Sequence, residues 1–265
     1  MSTTESYLVC ASQRSGSTLL VESLATTGVA GTPEEFFQYF STSSLSPQPR
    51  EWFAGVDDPE ILELLAPLEP GTVDTRDADQ WRSDLLDAGR SANGVWGGKL
   101  MWNQTPLLIA RTRVGSGSLR TAIRSLFGGT DPVFVHVYRE DVVPQAVSMW
   151  RAVQTRTWRD DGGGDSAAAD NAVYHARGIA HLAGILAEQE RQWRNWFAAE
   201  EIETLDIEFV ELVKDPTKAT ARVLEAIGQD PELAPPPPLK PQSNTRSKEW
   251  AQQYREDAAR NGYPL

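Results

Sequence analysis

The side chains best suited to holding an anion gather in one short run, Ser12-Gln13-Arg14-Ser15-Gly16-Ser17-Thr18. A glycine among small hydroxyl residues lets successive backbone N–H groups close around an anion. The run also opens a helix, whose positive end favours negative charge. Arg14 adds a permanent cation with a planar fork of donors. A second arginine, Arg139, directly follows the apolar run Val133–Tyr138, and Ser148 lies on the segment after it. An arginine at the carboxyl edge of a strand can grip a phosphate bidentately, with a nearby hydroxyl adding a donor. Two clamps so far apart in sequence suit a ligand with phosphate groups at its two ends. Between them stand two adjacent carboxylates, Glu34 and Glu35. Either could take a proton from a hydroxyl, and either could equally be an acid favoured by a helix start.

The first loop departs from the phosphate loop of ATP and GTP enzymes, G-x-x-x-x-G-K-[ST], whose lysine reaches the β- and γ-phosphates. With Gly16 on the second glycine, Ala11 falls on the first and Ser17 on the lysine, while the cation moves forward to Arg14. A small-molecule kinase using this loop is therefore an alternative that lacks its lysine. A non-catalytic nucleotide-binding module is another. Taken singly, the loop also fits an ordinary strand-turn-helix corner, and Arg139 fits a salt bridge to Asp141. Reading Asp141 as a metal ligand needs the lysine that is missing. Lys99, in Trp96-Gly-Gly-Lys-Leu-Met101, reads as a structural lysine, with a place at the active site as the alternative.

These residues need a full-sized scaffold, and 265 residues provide one, read here as a single domain over 1–265. With 25 Lys+Arg against 37 Asp+Glu the net charge is −12, which disfavours non-specific binding to nucleic acid or to anionic membranes. An anionic ligand must find a local basic pocket. Cys10 is the only cysteine, so a disulfide framework is excluded and Cys10 reads as core. His136, His175 and His181 have no metal-ligand spacing and read as structural or surface residues. No apolar run approaches a membrane span and no leader pattern is visible, so the expectation is a cytoplasmic protein without membrane insertion or metal.

Apolar periodicity places strands at 7–11, 95–101, 133–138 and 204–209. Helices are expected after Gly16, from Pro33, over 58–65, 80–86, 104–111 and 167–199, after residue 209 and over 247–260. The serine- and proline-rich stretch 41–50, the glycine-rich 160–166 and the prolines 235–238 read as connections. Strands alternating with helices define an α/β fold with an open, mainly parallel sheet flanked by helices. In such sheets ligands sit beyond the carboxyl ends of the strands, which places Ser12–Thr18 and Arg139 on one edge.

At this point the chain resembles the sulfotransferase family, whose mark is a strand leading into R/K-S-G-[ST]-T with a strand-Arg-…-Ser segment over a hundred residues on. The resemblance covers nearly the whole chain. Its longer blocks are Ala11–Leu24, Glu35–Tyr39, Ser46–Phe53, Gly94–Leu108 and Gln145–Ser148. The resemblance implies a P-loop-like sulfotransferase fold and a donor, 3′-phosphoadenosine 5′-phosphosulfate (PAPS). Arg14, Ser15, Gly16, Ser17 and Thr18 would hold its 5′-phosphosulfate, and Arg139 and Ser148 its 3′-phosphate. The interval from Arg139 to Ser148 is one residue longer than the commonest in the family. The blocks are most similar to members that sulfate the 2-hydroxyl of trehalose, releasing adenosine 3′,5′-bisphosphate toward sulfolipid biosynthesis. That resemblance selects Glu35 as general base, with Arg14 stabilising the leaving oxygens. It also implies a sugar site of Gln13, Thr32, Pro33, Glu34, Glu35, Phe36, Phe37, Gln38, Pro47 and Trp52, and a homodimer. Physically, the Gln13 and Gln38 amides can bridge hydroxyls, and Trp52 offers a ring face to a pyranose. Arg246 lies where such enzymes close over the 3′-phosphate.

Overall fold

The computed structural model describes residues 6–38, 48–69, 74–112, 117–158, 171–236 and 245–265. The chain divides into two compact units, the first made of Met1–Ser44, Val73–Glu140 and Gln189–Lys240, the second of Leu45–Thr72, Asp141–Glu188 and Pro241–Leu265.

The first unit is built on four parallel strands, β1 (Ser6–Ala11), β2 (Trp96–Met101), β3 (Val133–Tyr138) and β4 (Thr204–Glu208), in the order β2-β1-β3-β4. β1 and β3 are interior and apolar on both faces, as a sheet covered by helices requires. Tyr7, Val9 and Ala11 pack with Val135, Val137 and Ile207 under Leu20, Val21 and Leu24 of α1 (Ser17–Thr26). On the opposite face Leu8 and Cys10 meet Phe134, Leu100, Ile123, Trp193 and Phe197. The Cys10 thiol is wholly buried, and that burial pushes its pKa well up, so it is a core residue as the sequence implied. Trp193 Nε1 donates to the Ala11 carbonyl at 2.9 Å, satisfying the last acceptor of β1 where the chain leaves the sheet.

The second unit is helical. Trp52, Phe53, Ile61 and Leu65 form its core with Val143, Val147 and Trp150 of the helix Val142–Thr155, with Ile179, Leu182 and Leu186, and with Trp250 and Tyr254 of the helix Thr245–Asn261. A Cβ on Gly178 would lie 2.7 Å from the Trp150 ring, so glycine is what allows the helix Ala176–Ala199 to approach there.

Four elements differ from the sequence expectation, among them the long helix expected over 167–199, which begins at Ala176 while 171–175 forms a turn and loop. Pro33–Glu35 does not begin a helix; 31–35 has no regular secondary structure, with a turn at Phe36–Phe37. Its backbone is bonded across space instead, Thr32 N–H to Gly89 O at 3.0 Å and Lys99 N–H to Glu34 O at 2.9 Å. A helix at Leu119–Leu126, capped by Ser118, was hidden between glycine-rich stretches. After β4 the helix is two, Phe209–Lys214 and Pro216–Ala226, because Pro216 cannot continue the first. The stretches 41–47, 160–166 and 237–238 of the expected connections lie outside the described residues.

Candidate active site

All four strands end on one edge. Ala11 is level with Met101 and Val137, and Tyr138 with Glu208. The residues that follow are Ser12–Gly16, Trp102–Gln104, Arg139 and Phe209. From β1 the chain continues to β2 on one side, and β3 lies on the other. The carboxyl end between β1 and β3 is therefore the switch point where open α/β sheets place ligands.

The loop after β1 is compact and largely covered. Ser12, Gln13, Ser15 and Ser17 are buried, and Arg14 and Gly16 both take positive φ, 63° and 92°. For an arginine this conformation costs about 1–2 kcal/mol, the kind of backbone strain that collects at ligand sites. Gly16 is constrained twice, by its φ and by Phe209 Cδ2, which a Cβ would meet at 2.7 Å. α1 starts on Gly16 without a side-chain cap and without an acidic residue in its first turn. Its first N–H groups and the dipole are thus left for an external anion. Ser15 Oγ is fully buried with no hydrogen-bond partner among the described residues. Leaving such a group unmet costs about 1–3 kcal/mol, which a ligand oxygen would relieve. This donor set fits a phosphosulfate. Gln13 Nε2 donates to Asn103 Oδ1 at 2.5 Å, tying the loop to the turn after β2.

Glu35 sits in a ring of donors. Lys99 Nζ is 2.8 Å from its Oε1 and 3.2 Å from Thr18 Oγ1 of α1. Gln104 Nε2 donates to Glu35 Oε2 at 3.1 Å, and Gln38 Nε2 donates to the same oxygen. Burial works to raise the Glu35 pKa. The Lys99 charge and hydrogen bond, with the Gln38 and Gln104 amides, outweigh burial and hold the carboxyl below its usual range. Glu34, by contrast, is exposed. Of the neighbours named with them, Thr32 is exposed and Pro33 buried. Phe36 lies 5.9 Å from Trp96, and Phe37 is 1% exposed, edge-on to Trp81. Phe37 therefore anchors the segment in the core.

Arg139 follows β3 with its guanidinium 4.0 Å from the centre of the Phe209 ring, within cation–π range. The same ring lies against Gly16, where a Cβ would come within 2.7 Å of Phe209 Cδ2, so Phe209 packs against both Gly16 and Arg139, two positions singled out from the sequence. In the second unit, Ser148 is half-buried on the helix Val142–Thr155. Trp52 is 7% exposed in that unit's core, and its indole N–H has no acceptor among the described residues. Arg246 lies 5.4 Å over Trp250. Asp141 caps its helix through Val143 N–H and pairs with Arg255 at 2.6 Å, a structural role in place of the metal-ligand alternative. Pro47 lies outside the described residues.

Gln104, Asn103 and Phe209 were not singled out from the sequence, and Lys99 was taken as structural. For Lys99 a signal existed. It is 4% exposed on an apolar strand, and lysine is almost never so buried unless paired. The two amides carried no such mark.

The family model described as Stf0 sulphotransferase matches residues 6–257, and the chain belongs to that family. Similar proteins include the trehalose 2-sulfotransferase of Mycobacterium tuberculosis (strain ATCC 35801 / TMC 107 / Erdman), 57% identical over 263 residues and covering 97% of each chain. That of Mycolicibacterium smegmatis (strain ATCC 700084 / mc(2)155) is 56% identical over 264 residues, 98% of this chain and 97% of the other. A solved sulfotransferase from Alicyclobacillus acidocaldarius aligns over 98% of this chain and 96% of its own with 12% identity and a TM-score of 0.44, too distant to add to the architecture above.

Proposed function

We propose that this protein moves the sulfuryl group of PAPS to the 2-hydroxyl of α,α-trehalose, giving 2-sulfotrehalose and adenosine 3′,5′-bisphosphate. The observation that carries the reading is the buried Lys99 ammonium between Glu35 and Thr18, in a chain 57% identical to a trehalose 2-sulfotransferase. In this reading the 5′-phosphosulfate rests on Arg14, Ser15 Oγ and the N–H groups of Ser15 to Thr18, and Arg139 holds the 3′-phosphate. Gln13 and the segment Thr32–Gln38 face the sugar, while Pro47, Trp52 and Ser148 enter on sequence resemblance alone.

Glu35 takes the proton of the 2-hydroxyl, whose oxygen bonds to sulfur as the bond from sulfur to the bridging phosphate oxygen breaks. The electron pair of that bond stays on the phosphate. Negative charge thus leaves Glu35 and appears on the departing bisphosphate, and Lys99 stands at the place between them. Arg14, Lys99 and the helix end supply the positive charge, without a metal. The family match runs through both units, consistent with one functional domain. A place in sulfolipid biosynthesis, a cytoplasmic location and a homodimer belong to the same reading. The test is sulfate transfer from radiolabelled PAPS over a disaccharide panel without added metal. Label in trehalose alone is expected, and label in other sugars with none in trehalose would refute it.

A further inference from the structure

We propose that Gln104 is a positioning residue for Glu35, holding its carboxylate in one orientation and in its ionised form between turnovers. The inference rests on Glu35 being the base. Gln104 is 2% exposed in the turn Trp102–Gln104 that closes β2. Its amide cannot choose its orientation. Oε1 accepts the Met101 N–H at 3.1 Å, so Nε2 must face outward, and it donates to Glu35 Oε2 at 3.1 Å. Turning the amide over would strand a buried backbone N–H and set two oxygens against each other.

β2 and its closing turn therefore grip both carboxylate oxygens, Lys99 on Oε1 and Gln104 on Oε2. Gln38 also donates to Oε2, but it is exposed and its amide is free to turn, so it can become an acceptor where Gln104 cannot. Lys99 is the charged group among the three; the others are amides. A protonated Glu35 needs an acceptor for its own O–H; neither Lys99 nor the fixed Gln104 offers one, which leaves only a turned Gln38 amide or water at the exposed edge of the carboxyl. Two of the three donors therefore favour the ionised carboxyl, so the proton taken from the acceptor hydroxyl is released to solvent more readily and the base is restored for the next cycle.

The test is the pH dependence of kcat/KM for trehalose in Gln104→Met and Gln104→Glu, with Glu35→Gln in parallel. Loss of the donor in Gln104→Met should move the low-pH limb upward by about one unit, a roughly tenfold change in proton dissociation. Gln104→Glu keeps the size and the acceptor for Met101, adds a like charge beside Glu35, and should move the limb further. Activity on the high-pH plateau should fall less than tenfold in both, with KM for PAPS unchanged. If the methionine variant melts early, the glutamate variant decides. A limb that stays in place, or an equal loss at every pH, overturns the inference. Should Glu35→Gln itself stay active, the assignment of the base fails instead, so the two failures are distinct.

Discussion

Replacing Lys99 with methionine removes the cation that faces both Glu35 and Thr18 while keeping the length of the stem. At 2.8 Å the pair attracts by about 6 kcal/mol at an effective dielectric of roughly 20. Burying the ammonium, whose side chain is 5% exposed, has already offset part of this. Removing one partner of a buried pair costs about 3–5 kcal/mol, because the other charge is left unmet. The Glu35 side chain is 24% exposed, so water recovers some of its charge and the low end applies. A loss of about 3 kcal/mol lowers Tm by roughly 6–12 °C in a chain of this size. Pairing Lys99→Met with Glu35→Gln removes the orphaned carboxylate and should return most of that loss, the non-additivity expected of residues in contact. Turnover is not recovered. Without the cation, kcat should fall by about 10²–10³, as when one transition-state donor is removed. Thermal melts of the two single variants and the double variant, with kcat for each, complete the cycle. A Lys99→Met protein whose Tm and kcat stay within 2 °C and twofold of the native values would refute the reasoning, as would strictly additive melts.

Glu35→Gln should lower kcat at least about a hundredfold while leaving adenosine 3′,5′-bisphosphate binding intact by calorimetry. Because the Glu35 carboxyl lies below its ordinary value in the fold, the stability it contributes is present above its unfolded value of about 4.3 and is lost as pH falls through the lower folded value. The Tm gap between native protein and Glu35→Gln should therefore be widest at neutral pH and close below about pH 4. Gly16→Ala places a methyl group 2.7 Å from Phe209 at a φ of 92°, costing at least about 1–2 kcal/mol. Bisphosphate affinity should fall more than tenfold, and unchanged affinity would remove the loop from the donor site. Arg139→Ala should weaken PAPS binding by about 1.5–3 kcal/mol and weaken a donor lacking the 3′-phosphate far less. Equal losses for both donors would contradict that role.

Local chemistry made the sheet legible. Val133–Tyr138 is a run of β-branched and aromatic residues with Arg139 at its end, and β3 has those bounds. The first loop was legible as a strand-to-helix turn with glycine, which β1 and α1 show; its reading as an anion site came from the sequence blocks around it and not from the loop alone. What stayed hidden depends on partners distant in sequence. Pro33 with two acids has the composition of a helix start, yet Gly89 and Lys99 take the backbone groups of that segment, and no local pattern announces them. Gln104 is an ordinary amide in sequence and becomes part of the site only through Glu35, 69 positions earlier. A carboxylate right after a strand, such as Asp141, can serve as a metal ligand or as a helix cap, and here it caps the following helix.

Phe209 packs between Gly16 and Arg139, the two positions proposed to hold phosphate groups. The Cδ2 edge of its ring lies where a Cβ on Gly16 would come within 2.7 Å, and the Arg139 guanidinium lies over the ring at 4.0 Å. A ring does not compress, and Gly16 has no side chain that could shorten to let it advance. In the proposed reading, the spacing between the two phosphate positions is held by one rigid aromatic side chain rather than by a flexible linker. If PAPS binds as proposed, Phe209 acts as a gauge for the length of a nucleotide phosphorylated at both ends.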